Sequence, residues 1–155
     1  MRIVSPVPGT ARALGDVPDP MFSDYVVGPG VAVEPRHLAR MTVRAPCDGV
    51  VASVQPHAFV VAAAPRTAVL VHVGTSTARL AGRGFAVFVS AGARVTAGDR
   101  MLSWSPVDVA AAGLSTLCPI IALQAEEDQI RALVAPGVEI EAGDPVLDWP
   151  QRPYD

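Results

Sequence analysis

The chain has 155 residues, of which half are apolar and 17% are charged, with a mean hydropathy of +0.36 and a formal net charge of −3. This composition excludes a disordered solvating chain, which needs low hydrophobicity and high charge. No apolar run reaches the roughly 18 residues that a membrane-spanning helix needs. We therefore expect one domain over residues 1–155, whose core needs neither disulfides nor metals.

The basic residues are all arginine, twelve in number. The absence of lysine excludes Schiff-base chemistry, P-loop phosphate binding, and biotin or lipoate attachment. The arginines are scattered singly, which argues against nucleic-acid binding, since this normally needs a concentrated basic face. Cys47 and Cys118 form no disulfide framework and are expected to be buried thiols. Because the N-terminal residues lack the apolar stretch of a signal peptide, we expect a cytoplasmic protein without membrane insertion.

Short valine-rich runs alternate with dense turn signals, 15 prolines and 13 glycines. Valine loses rotamer freedom in helices and packs well on a pleated surface, so these runs predict strands. Many short strands at this spacing predict an all-β, mostly antiparallel fold that is sandwich-like or barrel-like. In chain order the predicted strands are Val26–Val27, Gly30–Val33, Gly49–Val54, Phe59–Ala63, Ala68–Val73 and Phe85–Val89.

One or two short helices are predicted in the second half. Ser105 can cap a helix that has Pro106 in its first position and that Gly113 ends. A second helix is predicted from about Glu126 to Leu133.

An internal duplication also lies in the second half. Residues 92–104 reappear as residues 137–149, each copy reading as a short strand, an Ala-Gly-Asp turn and a strand that ends in tryptophan. A looser pair precedes them, at residues 6–9 and 46–49, where each member opens a strand rich in valine or alanine. The duplication predicts two similar halves around one core.

The three histidines are the rare chemical reagents of the chain. His37 lies in a polar connection and is expected to be solvated. His57 stands where a strand leaves a turn, and His72 stands on a strand with aliphatic neighbours, where a buried imidazole needs a polar partner. No Gly-x-Ser-x-Gly elbow, Cys-x-x-Cys, His-x-His or His-Glu-x-x-His motif is present. His57 and His72 with a cysteine could form a zinc site, but the spacing does not demand one.

Four ordered segments carry a family resemblance that runs from about Ser5 to about Trp149. Together they resemble the IIA domain of the glucose-type sugar phosphotransferase system. The first holds the family's opening signature, the second matches a strand and turn, and the last two match the segments that bear the accessory and the phosphorylated histidine. The four segments are residues 17–22 with 26–32, residues 45–51, residues 56–59, and residues 70–74 with Thr77 and residues 80–85.

The resemblance implies a twisted antiparallel β-sandwich that carries phosphoryl groups. Such domains receive phosphate from the carrier protein HPr and pass it to a IIB domain, which phosphorylates a sugar during import. It further implies that His72 accepts the phosphoryl group and that His57 holds its oxygens, with imidazoles about 3–6 Å apart. No cofactor is implied, although zinc could bind adventitiously or as a regulator at His57 and His72. The expected partner-binding residues are Asp19, Phe22, Val26, Val27, Leu70 and Ala78, with Phe22 and at least one valine partly exposed.

The chain departs from the family pattern close to both histidines. Thr75 and Ser76 stand where the family usually has an aliphatic residue and then aspartate, and Gln55 stands in place of threonine. These departures leave open a regulatory, protein-binding β-domain with a vestigial phosphohistidine site. A zinc metallopeptidase on a related scaffold is the third reading, but its His-x-His pair is absent. The sugar stays undetermined, because such a domain never touches it.

Overall fold

Short antiparallel strands are the main regular structure of residues 1–151, which is the part of the chain that the computed structural model describes. The helices are α1 (Pro20–Ser23) and α2 (Pro106–Ala111), and single 3-10 turns span Leu14–Asp16, Thr77–Leu80 and Glu127–Gln129. The strands are β1 (Arg2–Val4), β2 (Gly9–Ala13), β3 (Gly30–Pro35), β4 (Met41–Arg44), β5 (Gly49–Gln55), β6 (Ala58–Ala64), β7 (Thr67–His72), β8 (Ala86–Val87), β9 (Arg94–Val95), β10 (Arg100–Trp104), β11 (Cys118–Ala122), β12 (Arg131–Ala132), β13 (Glu139–Ile140) and β14 (Pro145–Asp148).

The strands form three sheets. The largest has the order β13-β2-β3-β11-β7-β6-β5-β9, and two small sheets have the orders β1-β14-β12 and β4-β10-β8. Neighbouring strands pair antiparallel throughout these sheets. The predicted all-β, mostly antiparallel class is therefore confirmed, in the form of sheets that do not close into a barrel.

The internal duplication appears in the structure as matched pairing. Gly98 donates its N–H to the carbonyl of Ala45, and Gly143 donates in the same way to Ser5. The sheet β4-β10-β8 built on the first copy corresponds strand for strand to β1-β14-β12 built on the second. The looser pair belongs to the same scheme, because residues 9 and 49 each open a strand that pairs with the short strand of one copy.

Alternation along the central strands separates two apolar clusters. In β7, Val69 and Val71 pack in the main core, whereas Leu70 packs against a smaller cluster. Since successive side chains of a strand point to opposite faces of its sheet, the smaller cluster lies on the other face of the large sheet. The segment between β2 and β3 covers that face, contributing Leu14, Val17, Phe22 and Val27.

The connection between β2 and β3 contains the short helix α1 and no strand. Val26–Val27 is not a strand, because it closes the turn after α1, where the Val27 N–H lies 3.4 Å from the carbonyl of Met21. Asp19 caps α1 and Pro20 occupies its first position. This Asp-Pro pair is a start signal that could have predicted the helix from the sequence.

The remaining predicted elements are found with two exceptions. Ser105 caps α2 by accepting a hydrogen bond from the Asp108 N–H at 3.1 Å, as expected. The helix predicted from Glu126 to Leu133 is wrong, because a single 3-10 turn gives way to β12, which pairs with β14. The run Phe85–Val89 keeps only the two-residue strand β8. None of the helices found in residues 1–151 has the length and apolar character needed to cross a bilayer.

Candidate functional site

His57 and His72 meet because two strands pair and a hairpin turns. His72 ends β7 and pairs with Ala58, the first residue of β6. His57 occupies the two-residue turn between β5 and β6, directly before that partner. The two imidazole centroids lie 5.3 Å apart with an interplanar angle of 61°. The predicted pairing of the two histidines in space is confirmed.

The backbone beyond β7 determines which ring nitrogen of His72 is free. Nδ1 of His72 lies 2.6 Å from the carbonyl oxygen of Gly74. A carbonyl can only accept a hydrogen bond, so Nδ1 must carry the proton and donate it. In neutral His72 the lone pair is therefore on Nε2, which is the nucleophilic atom of the ring.

Burial favours the neutral form of both histidines. It lowers the pKa of His57 below its ordinary value. The pKa of His72 is lowered first by burial and also by the proximity of His57, whereas the Gly74 carbonyl and Asp19 act in the opposite direction. A neutral imidazole near pH 7 is the form that can attack an electrophile.

Phe22 forms one wall of the site rather than an exposed docking residue. Its ring centroid lies 5.3 Å from that of His72, and the side chain is only 7% exposed. The expectation that Phe22 is partly exposed is wrong, because its ring fills the small cluster with Leu14, Val17 and Ile121.

The other expected docking residues differ widely in exposure. Val26 is 62% exposed and Val27 is half-buried. Leu70 is also half-buried, against the small cluster, and Ala78 is exposed in the 3-10 turn that follows His72. The carboxylate of Asp19 accepts a hydrogen bond from the Met21 N–H at 3.0 Å, so this side chain caps α1.

Met21 is a surface residue that the sequence reasoning missed. It is 49% exposed and directly precedes Phe22 in α1. The Asp-Pro start signal predicts a helix here, and in that helix the apolar neighbours Met21 and Phe22 point in different directions. One of them could therefore have been expected at the surface.

The segment after His72 is irregular and firmly attached. Thr75 is 2% exposed and forms an isolated β-bridge with Ser115, while Thr77 is 1% exposed and donates its hydroxyl to the carbonyl of Val73 at 2.7 Å. Ser76 is exposed, with a left-handed φ of 63°. Gln55, at the end of β5, is exposed as well. Thr75, which departs from the family pattern in the sequence, is therefore a buried and hydrogen-bonded residue.

His37 and the two cysteines are not part of the site formed by His57 and His72. His37 is 61% exposed, as predicted, and lies 4.0 Å from a carboxylate oxygen of Glu34. Both cysteines are buried free thiols, as predicted. Burial raises the pKa of Cys47 to about 11 and that of Cys118 to about 12.

The donor set for a metal ion is small. Among residues 1–151, no group of three histidine, cysteine, aspartate or glutamate side chains is placed to hold one. Zinc at His57 and His72 therefore remains a prediction that rests on two imidazoles.

Comparison with known proteins places the chain among phosphotransferase-system components. The family described as "phosphoenolpyruvate-dependent sugar phosphotransferase system, EIIA 1" matches residues 1–129. A "PTS system glucose-specific EIIA component" of Bacillus cereus is 35% identical over 121 residues, which are 77% of this chain and 72% of the relative. The solved structure titled glucose permease IIA from Mycoplasma capricolum matches with a TM-score of 0.83 and 28% identity, covering 95% of this chain and 94% of that one.

Some relatives carry this domain as part of a longer chain. A "PTS system glucose-specific EIIBCA component" of Corynebacterium glutamicum is 36% identical over 129 residues, which are 82% of this chain. The chain spans only 19% of the length of that relative. The matched region thus occurs in relatives both by itself and joined to other components of the system.

Proposed function

This chain belongs to the EIIA 1 family of the phosphoenolpyruvate-dependent sugar phosphotransferase system, and we propose that it accepts a phosphoryl group from HPr on His72 and passes it to a IIB domain for sugar uptake. The observation that carries the proposal is the bond from His72 Nδ1 to the Gly74 carbonyl, at 2.6 Å. It leaves a lone pair on Nε2, in a half-buried ring that burial keeps neutral.

The chemical step needs no cofactor. The Nε2 lone pair attacks phosphorus in line, a P–N bond to His72 forms, and the P–N bond to the donor histidine of HPr breaks with its electron pair returning to the donor nitrogen. Phosphoryl transfer depends mainly on positioning and charge stabilisation, which fits a site without a strong acid or base. In the second step a nucleophile of the IIB domain attacks the same phosphorus, and Nε2 recovers its lone pair.

We propose that His57 stabilises the transferring phosphoryl oxygens. Its ring centroid stands 5.3 Å from that of His72, and a ring N–H is a suitable donor to an anionic oxygen. Because HPr and IIB must reach the same Nε2 atom in turn, we propose that they share one surface. Its apolar part would be formed by Met21 and Val26, which are 49% and 62% exposed.

The acidic part of that surface would be the carboxylate of Asp19, which is half-buried and close enough to act on the pKa of His72. One of its oxygens is engaged in capping α1, so we propose that an arginine of a partner binds at the other. Two free buried thiols, Cys47 and Cys118, are consistent with transfer in the reducing cytoplasm.

The test is phosphate transfer from labelled HPr to the wild-type chain and to His72→Gln. The wild-type chain should become labelled and should lose the label when a IIB domain is added. His72→Gln should take up none, because no nucleophile remains, and His37→Gln should behave as wild type. A folded wild-type chain that accepts no phosphate would support the regulatory alternative, and undiminished labelling of His72→Gln would overturn the assignment of the acceptor.

A further inference from the structure

The carbonyl that orients His72 belongs to a segment outside the regular sheet. β7 ends at His72, and Gly74 has a left-handed φ of 73°. A Cβ at position 74 would come within 2.6 Å of the Thr77 side chain and 3.1 Å of the Ser115 carbonyl. The Gly74 carbonyl therefore lies beyond the regular pairing of β7, and the bonds of the residues that follow hold it in place.

Thr75 supplies two of those contacts, one from its backbone and one from its side chain. Its N–H donates to the carbonyl of Ser115 at 2.9 Å, and its hydroxyl donates to the carbonyl of Leu117 at 3.1 Å. The residue is 2% exposed, so water cannot replace either bond. The residue that follows Gly74 is thereby fixed at two points.

The segment that receives these bonds is itself held firmly. The Leu117 N–H donates to the Ser115 hydroxyl at 3.2 Å, and the Thr116 hydroxyl donates to Glu34. Leu117 directly precedes β11, a central strand of the large sheet. Thr75 thus connects the irregular segment after His72 to the residues that lead into a central strand of the large sheet.

We propose that Thr75 is a positioning residue for phosphoryl transfer, whose hydroxyl clamps the 73–77 segment onto residues 115–117 and so holds the Gly74 carbonyl on Nδ1 of His72. Without the clamp the carbonyl moves away, and the ring proton redistributes between the two nitrogens. A proton on Nε2 removes the nucleophilic lone pair in that fraction of molecules. The inference rests on the proposed function for its consequence, but not for its structural content.

The experiment reads the tautomer of His72 directly, by two-dimensional proton–nitrogen NMR of the imidazole rings in the full chain. We expect the wild-type ring to carry its proton on Nδ1. Thr75→Val keeps the shape but removes the hydroxyl, and should shift a measurable fraction of the proton to Nε2. Thr75→Ser, which restores the hydroxyl, should return the wild-type spectrum.

A matched control lies at the other end of β7. Thr67 is 6% exposed, and its hydroxyl donates to Gln151 at 2.9 Å. Thr67→Val therefore also loses one hydrogen bond of a buried hydroxyl, but should leave the His72 tautomer unchanged. Phosphate acceptance from HPr should fall about 2–10-fold in Thr75→Val, the fold-change equivalent to one neutral hydrogen bond, and should not fall in Thr67→Val.

An unchanged tautomer in folded Thr75→Val would overturn the inference. Should that variant fail to fold, the hydroxyl proton of Thr75 in the wild-type chain is the second measurement. It should exchange slowly with water, and fast exchange would contradict the clamp. If the wild-type chain accepts no phosphate while Thr75→Val still changes the tautomer, the proposed function fails and the clamp stands.

Discussion

The two duplicated copies, together called the frame, and the segments between them contribute differently to the fold and to the candidate site. The two copies, residues 92–104 and 137–149, form the same turns with equivalently placed partners, and neither copy contains a histidine. The candidate site lies instead at His72, the end of β7, and in the turn at residues 56–57, the connection at residues 14–29 and the segment at residues 73–81. In the proposed mechanism the repeated copies support the fold, and the reacting residues lie in segments that are not repeated.

The two tryptophans that end the copies have different surroundings, and only one of them lies next to the candidate site. Trp104 is fully buried, stacks on Phe85 at 6.2 Å, and lies 3.5 Å from the position that a Cβ on Gly74 would take. Trp149 is 6% exposed and exchanges backbone hydrogen bonds with Met1, at 2.7 and 2.8 Å. Trp104 therefore packs behind Gly74, next to the candidate site, whereas the equivalent Trp149 bonds to Met1 at the start of the chain.

The largest effect is expected from removing these tryptophans. Trp104→Ala and Trp149→Ala should each lower the free energy of unfolding by about 3–5 kcal/mol, as large-to-small changes of buried aromatic residues do. Only Trp104→Ala should also slow phosphate acceptance in the folded protein, because it removes the packing behind Gly74. Urea unfolding and labelling from HPr, both at low temperature, measure the two quantities. Equal loss of labelling in both variants would contradict the division of roles.

His57→Gln should show the opposite pattern, with loss of function and little loss of stability. We expect it to accept phosphate but to pass it to IIB about 10²–10³-fold more slowly, the usual cost of one charge-stabilising contact. The ring is half-buried and lies in a turn, so the free energy of unfolding should change by less than about 0.5 kcal/mol. A chase of labelled protein with IIB measures the rate, and His37→Gln is the control. A variant that transfers at the wild-type rate would remove His57 from the mechanism.

Matched aspartates test whether the two copies are energetically alike. Asp99 accepts a hydrogen bond from the Thr96 N–H at 2.8 Å, and Asp144 accepts one from the Glu141 N–H at the same distance. Asp99→Ala and Asp144→Ala should each cost about 1 kcal/mol of unfolding free energy, with labelling unchanged. Because the sites share no partner, the double variant should equal the sum within about 0.5 kcal/mol. Clearly unequal single effects in urea unfolding would show that the copies are alike in geometry only.

The frame was more predictable from the sequence than the site. Valine runs and Gly-Asp turns are local signals, so the β class, the duplication and the Ser105 cap followed from them. The burial of Phe22 and the failure of the helix at residues 126–133 depend on packing and on pairing with β14, which no local pattern specifies. The residue pattern singled out the two histidines, but their separate roles came only from the family resemblance, and the role of the Gly74 carbonyl required the three-dimensional path of the chain after β7.

The smallest expected effect is that of pH on labelling from HPr. It tests whether the pKa of His72 is lower than that of a histidine in water. At the reference pKa of about 6.5, lowering the pH from 7.5 to 6.5 would remove about half of the neutral imidazole. Burial lowers the pKa of His72, so labelling from HPr should fall by less than about twofold over this interval.

The same shift affects stability, and its sign follows from which state binds protons more readily. A folded-state pKa below that of the unfolded chain means that the unfolded state takes up protons first. The contribution of His72 to stability is therefore complete above about pH 6.5 and is lost as the pH falls from there through the folded-state pKa. Urea unfolding of the wild-type chain and of His72→Gln between pH 7.5 and 5 measures this, and the wild-type chain should lose more stability. An equal loss in both, or an NMR titration of His72 at or above 6.5, would contradict the effect of burial on this ring.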